Sequence, residues 1–184
     1  MRLFLALELP PGLRAVVDEV RGGLTSRLSG WRWTRADAVH LTVRFLGETA
    51  SETIARAVPL WREAAAAVPA FGIRLGGVGV FPGPRRPRVL WVGVVDEPDE
   101  GRLAALAEGV ETACRAAGFL PDRRPFTPHL TLARAAEGAV APGPDAVPEH
   151  AAARVEDLVL FRSDLLPRGA VHTPVERFPL AGER

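Results

Sequence analysis

Apolar positions along the chain fall into blocks of two different periods. Residues 2–9 form an almost continuous apolar run, which predicts a buried strand. Pro10-Pro11-Gly12 closes it, and Leu13, Val16, Val17, Val20 and Leu24 then recur at helical spacing, the buried stripe of an amphipathic helix. Trp31-Arg32-Trp33 and His40 to Gly47 read as extended segments. Thr49 with Glu52 has the form of a capping box, which opens a helix to about Val68, kinked or broken at Pro59. Phe71 to Phe81 and Arg88 to Asp96 are strands joined by the turn-rich Pro82-Gly83-Pro84-Arg85-Arg86-Pro87. A helix from about Asp99 to Ala117 carries Leu103, Leu106, Val110 and Ala113 on one face. Phe126 to Ala133, Val155 to Arg162 and Val175 to Leu180 complete the strands. Residues 135–152 are rich in Ala, Gly and Pro without period, and a mobile loop is expected there.

The blocks repeat. Leu3 to Pro10 is similar to Trp91 to Pro98: a strand ending in proline, followed by a helix. Each helix leads at nearly equal distance to the same tetrapeptide, His40-Leu41-Thr42-Val43 in one half and His129-Leu130-Thr131-Leu132 in the other. Two related strand–helix–strand lobes facing each other across a pseudo-twofold axis would account for this order.

Alternation gives the repeated tetrapeptide its chemistry. In a strand, the face that carries His40 also carries Thr42 and Arg44, while Leu41, Val43 and Phe45 point into a core. His129 and Thr131 repeat the arrangement. If the lobes face each other, two histidines and two threonines converge. One neutral imidazole can take a proton from an attacking water while one imidazolium protonates a leaving oxygen, on opposite sides of a phosphorus. Threonine hydroxyls and nearby arginine can hold the non-bridging oxygens as charge develops there. A single His-x-Thr carries almost no information; two copies at matching places in a repeat carry a good deal. His150 lies in the loose stretch and is expected in solvent. His172 has its threonine adjacent, so the two would face apart, and neither histidine receives a role.

Composition narrows the field. A net charge of +1 over 184 residues confines any nucleic-acid site to a local basic patch. All 23 basic residues are arginine. Without lysine there is no Walker-type phosphate loop and no lysyl-nucleotide intermediate, which excludes an ATP-dependent ligase of that kind. Cys114 is the single cysteine, so neither an internal disulfide framework nor a multi-cysteine zinc site can form, and it reads as an inert, partly buried thiol. Glu8 interrupts the first apolar run, and nothing approaches a membrane span; a cytoplasmic protein is expected. Arg85, Arg86 and Arg88, then Arg123 and Arg124, form basic loops that could line a phosphate track with Arg44 and Arg134. Trp31 and Trp33 could stack a base or pack in the core, whereas Trp61 and Trp91 read as core.

These residues resemble a known family. Arg2 to Ala6, His40 to Glu48, Phe81 to Trp91, Arg124 to Arg134, Leu160 to Ser163 and Glu176 to Leu180 are together similar to the RNA 2′,3′-cyclic phosphodiesterases, also called the 2′-5′ RNA ligase family, of the two-histidine (2H) phosphoesterase superfamily. The resemblance covers essentially the whole chain. It implies an α+β bilobal fold, with an antiparallel sheet and outer helices in each lobe around a cleft, and residues 1–184 as a single domain of two interleaved lobes. It implies metal-independent, cofactor-free hydrolysis of an RNA 2′,3′-cyclic phosphate to a 2′-phosphate end. His40 would be the proton donor and His129 the proton acceptor, with Thr42 and Thr131 holding the phosphate and Arg134 contacting substrate. Strand alternation alone sets Arg134 on the face away from His129, so this role needs a strand end or a bulge. A ribose 5′ hydroxyl in place of water would give ATP-independent 2′-5′ joining, with tRNA fragments as one RNA partner, and a monomer is expected. An aromatic position of the family stands here as His172. Three rivals remain: a phosphodiesterase for small cyclic nucleotides or ADP-ribose cyclic phosphate, a non-catalytic module holding RNA ends, and a metal site using both histidines. The last ranks lowest, because no carboxylate or cysteine stands at ligand spacing beside either histidine.

Overall fold

A computed structural model describes residues 1–143, 147–148, 150, 152–166 and 169–182. In chain order its elements are β1 (Arg2–Leu7), α1 (Pro11–Thr25), β2 (Trp31–Trp33), a 3-10 turn (Ala36–Ala38), β3 (Leu41–Glu48), α2 (Ser51–Ala66), β4 (Phe71–Phe81), β5 (Val89–Glu97), α3 (Arg102–Ala116), β6 (His129–Ala135), β7 (Ala153–Val155), β8 (Asp157–Leu166) and β9 (Gly169–Pro179). The fold is α+β. One antiparallel sheet runs in the order β7-β4-β5-β6-β3-β1-β8-β9, and β2 adds to β6. It divides in the middle. One half is β3, β1, β8 and β9; the other is β6, β5, β4 and β7. They meet where β3 touches β6 through the pair Leu41 and Leu130.

One core lies between the sheet and its helices. Leu3, Leu5 and Leu7 of β1, Leu13, Val17, Val20 and Leu24 of α1, Trp61 of α2 and Leu106 and Cys114 of α3 are all buried in it. Each leucine so buried contributes about 2 kcal/mol of transfer free energy. The Trp61 indole N–H donates to Cys114 Sγ at 3.3 Å, tying α2 to α3, and burial pushes the thiol upward, away from thiolate chemistry.

Several local expectations give way to tertiary pairing. Thr49 does not cap α2: its backbone N–H donates to Met1 O and its hydroxyl to Gly47 O, so it belongs to the end of the β1–β3 ladder and Ala50 stands at the N-cap. Pro59 does not break α2, which continues unbroken to Ala66. The burial of Ala57, Trp61 and Ala65 outweighs the hydrogen bond the proline removes. α3 begins at Arg102, where the buried Asp96 of β5 accepts the Arg102 N–H at 2.7 Å. The register also corrects the repeat: Ala6 pairs with Thr42 as Trp91 pairs with Thr131, so Ala6, not Leu3, is the counterpart of Trp91. β8 and β9 form a ladder longer than the apolar runs suggest, from Asp157 with Pro179 to Leu166 with Gly169. Part of the loop expected over 135–152 lies outside the described residues. Among those described, Ala136 N–H donates to Gly30 O and Val140 O accepts the Trp31 indole, which fastens that stretch to the sheet.

Candidate active site

The His-x-Thr segments meet where the two halves of the sheet join. With Leu41 opposite Leu130 in an antiparallel pair, His40 falls opposite Thr131 and Thr42 opposite His129. A pseudo-twofold axis through that pair exchanges the two motifs. Strand spacing and rise put the two histidine Cα atoms roughly 8 Å apart, enough to set a phosphate between the rings. Leu41 and Leu130 are fully buried beneath, which holds the polar residues to one face.

Both imidazoles are anchored in the same way. His40 Nδ1 lies 2.9 Å from Ala38 O and His129 Nδ1 lies 2.6 Å from Thr127 O. A carbonyl only accepts, so each Nδ1 carries the hydrogen and each Nε2 keeps its lone pair for proton transfer. Among the described residues, neither the Thr42 nor the Thr131 hydroxyl is committed to another group.

Each motif strand then bulges at the same place. β1 pairs Ala6 with Thr42 and Leu5 with Arg44, so Val43 is the extra residue. β5 pairs Trp91 with Thr131 and Leu90 with Ala133, so Leu132 is its equivalent. A bulge shifts the alternation by one. Beyond it Phe45, not Arg44, returns to the His40 face, and Arg134, not Ala133, returns to the His129 face. Phe45 and Arg134 are counterparts across the axis.

The surroundings of the two histidines differ. His40 stacks on Phe4 at 4.6 Å between ring centroids, with Phe161 at 6.2 Å and His172 edge-on at 5.1 Å. Burial, then the neighbouring His172, pushes the His40 imidazole down to about 4, against the Ala38 carbonyl, which favours the charged form. His172 is itself lowered by burial, partly offset by Asp37. His129 has Phe81 edge-on at 5.0 Å and Trp91 at 6.4 Å. Trp91 lies flat over Gly79, where a Cβ would come within 2.3 Å of the indole, so that position requires glycine. Trp91 is therefore a wall of the site and not the core residue its sequence suggested.

The sequence profile of the 2′-5′ RNA ligase superfamily matches residues 9–166. The chain belongs to that superfamily. It is 37% identical over 191 residues to a Thermus thermophilus protein named RNA 2′,3′-cyclic phosphodiesterase, covering 100% of this chain and 92% of that one. A Methanothermobacter thermautotrophicus protein of the same name is 31% identical over 186 residues, covering 98% and 99%. A third relative so named, from Geobacillus stearothermophilus, is longer, and the match spans 57% of its length. Among solved structures, TT0787 of Thermus thermophilus superposes with a TM-score of 0.84 at 34% identity, covering 100% of both chains. Escherichia coli LigT in complex with 3′-AMP gives 0.80 at 28% identity, covering 97% of both.

Within this superfamily member, some residues expected at the site are elsewhere. Arg44 points to the helix side: its guanidinium donates to Glu111 Oε2 at 2.7 Å, Phe45 O at 2.7 Å and Leu120 O at 2.6 Å, with Asp122 at 3.8 Å. The bulge at Val43 is the reason. Arg124 pairs with Asp122 on that same side, where a hollow of about 450 Å³ contains neither histidine. The expected arginine track thus divides, and Arg44 and Arg124 leave it. Trp31 is buried and Trp33 packs against the core, so neither is a base platform. His150 is not a solvent residue: its Nε2 accepts the Leu75 N–H at 2.9 Å and its Nδ1 donates to Pro148 O, a structural pin.

His172 and Arg32 are the residues that sequence reasoning missed. His172 sits in β9, opposite Ser163 of β8, which brings it onto Phe4 and His40. Its only sequence signal was the aromatic position of the family. Arg32 lies directly opposite Arg134 in the β2–β6 pair and shares its face. Among the described residues, no three histidine, cysteine, aspartate or glutamate side chains come together as a metal site.

Proposed function

We propose that this chain hydrolyses RNA 2′,3′-cyclic phosphate ends to 2′-phosphate ends by metal-independent acid–base catalysis between His40 and His129. The observation that carries the reading is the junction of the two halves: two His-x-Thr segments related by a twofold, each with Nδ1 tied to a carbonyl and, among the described residues, no hydrogen-bond partner on Nε2. The superfamily and its relatives named RNA 2′,3′-cyclic phosphodiesterase make this chain an enzyme of that class.

In the step itself a water oxygen attacks phosphorus while one imidazole takes its proton. The bond from phosphorus to the 3′ oxygen breaks on the opposite side, and the other imidazolium protonates that oxygen. Thr42, Thr131 and Arg134 hold the non-bridging oxygens as negative charge grows there. By resemblance His40 is the donor and His129 the acceptor. The phosphodiester anion arriving beside His40 favours its charged form, which the free site holds down. A 5′ hydroxyl in place of water gives 2′-5′ joining through the same groups.

The low His40 value favours a second reading in which the roles are exchanged, with His40 as base. One substrate separates the two. A cyclic phosphate with sulfur at the bridging 3′ position leaves as thiolate and needs no acid. Whichever of His40→Ala and His129→Ala is rescued by that substrate has lost the acid. The parent reaction is tested with a short RNA ending in a 2′,3′-cyclic phosphate, in EDTA and without ATP. A 2′-phosphate product from wild type and none from either variant supports the proposal. Loss of wild-type activity in EDTA overturns its metal-free form.

A further inference from the structure

A single row of residues crosses four strands beside the His129 motif. The pairings run Arg32 of β2 to Arg134 of β6, Arg134 to Val89 of β5, and Val89 to Phe81 of β4. Phe81 touches the His129 ring, so the row lies on the face of the site. It spans about 14 Å, three inter-strand steps. It stands roughly 13 Å along β6 from His129, too far out to be centred on the reacting phosphorus. Phe81 and Val89 also line a hollow of about 420 Å³, together with Pro82, Arg86 and Arg88.

The row has no folding rationale. Like charges directly opposite in a sheet are destabilising. Yet Arg32 and Arg134 face each other exposed, and among the described residues neither they nor Arg86 and Arg88 have a carboxylate partner. By contrast, three arginines on the His40 side, Arg35, Arg162 and Arg177, each hold an acid. Guanidinium groups beside apolar side chains match the two parts of a nucleotide, phosphate for the cations and a base face for the apolar surface.

Resting on the proposed RNA end-processing activity, the geometry points to an extended subsite. Arg32, Arg86 and Arg88, with Phe81 and Val89 beside them, bind the nucleotide that precedes the cyclic end. Arg134 bridges this subsite to the reacting phosphate. The enzyme thereby reads the end of a strand and discriminates against a lone cyclic mononucleotide.

The test compares kcat/KM for a 2′,3′-cyclic mononucleotide and a tetranucleotide ending in the same cyclic phosphate. Wild type is expected to prefer the tetranucleotide tenfold or more. Arg32→Ala and Arg88→Ala each cut that preference several-fold and flatten the salt dependence on the tetranucleotide by about 0.7 in log–log slope, one phosphate contact on a single strand. Arg32→Lys keeps the slope, and Arg162→Ala on the other half keeps the preference. Unchanged melting temperatures confirm that the variants fold. Equal use of both substrates by wild type, or variants that retain the preference and slope, overturns the subsite. Anisotropy with a labelled tetranucleotide separates this from failure of the catalytic reading. Binding that depends on Arg32 and Arg88 without turnover keeps the subsite and sinks the hydrolysis; binding indifferent to both arginines sinks the subsite.

Discussion

Around His40 the sheet presents Phe4, Phe45, Phe161 and His172, and the imidazole is held neutral by its burial. Around His129 it presents Trp91 and Phe81, and beyond them Arg134 and Arg32, which have no acidic partner among the described residues. The backbone device is the same in both halves: a histidine tied through Nδ1 to the carbonyl two residues back, a threonine, then a bulge. What differs is the side chain delivered after the bulge, phenylalanine in one half and arginine in the other. Symmetric geometry with asymmetric surroundings lets two identical side chains serve unequal parts. One is desolvated beside aromatic rings, where a ribose and base can rest; the other sits beside cations suited to an anionic strand.

The comparison breaks most completely if either half works alone. His40→Ala and His129→Ala should each lower kcat/KM by about 10² to 10⁴, with the double variant little worse than the poorer single one. Retained activity in one single variant, measured on the cyclic RNA end, would mean that the two halves are not partners. Making the halves alike is the next largest perturbation. Arg134→Phe copies Phe45 into the second half and should cost about 1.5 to 3 kcal/mol of phosphate binding, read as a rise in KM of roughly 10- to 100-fold. An unchanged KM would show that Arg134 does not touch substrate.

Arg44→Ala tests the bulge itself. Because the Arg44 side chain is 11% exposed and holds Glu111, its loss should cost about 3 kcal/mol of stability, seen as a lowered Tm, while kcat/KM well below the transition moves little. The reverse pattern, with intact Tm and lost activity, would return Arg44 to the cleft. The smallest effect lies in pH. A histidine lowered from 6.5 to about 4 binds a proton in the unfolded chain before it does so in the fold. Its contribution to stability is therefore complete above 6.5 and is lost as pH falls toward 4, with a slope of at most about 1.4 kcal/mol per pH unit. His172→Phe keeps the edge-on packing and removes the repelling charge, so the His40 titration, followed by NMR, should move upward. No movement would show that His172 acts on His40 through packing alone.

The motif strands were legible because His-Leu-Thr-aliphatic carries its own face assignment, and the helical stripes because Leu13, Val17, Val20 and Leu24 repeat with the period of a helix. The bulges were not legible. Nothing in Val43 or Leu132 differs from an ordinary strand residue; a bulge is defined by the register with β1 or β5, which is a relation between distant segments. That one unseen feature misdirected Arg44 and left the placing of Arg134 open. His172 was missed for a related reason. Thr173-Pro174 reads as the end of an element, and only pairing with Ser163 and Phe161 of β8 keeps β9 extended through it. Thr49 has the composition of a cap, but the competing ladder with Met1 claims its backbone first.

The order of strands in the sheet has a consequence for how the protein is made. Apart from the short β2, which adds to β6 from residues 31–33, the half that carries His129 is drawn from one stretch, β4 to β7, residues 71–155. The half that carries His40 needs β1 and β3 from before that stretch and β8 and β9 from after it. During vectorial synthesis the His129 half can therefore assemble while His40 still lacks Phe161 and His172. The aromatic wall of the first histidine closes only when the final hairpin has emerged and threaded back beside β1. A nascent chain halted before residue 157 would display the arginine row without a completed His40 site: able to hold a strand, and not yet able to cut its end.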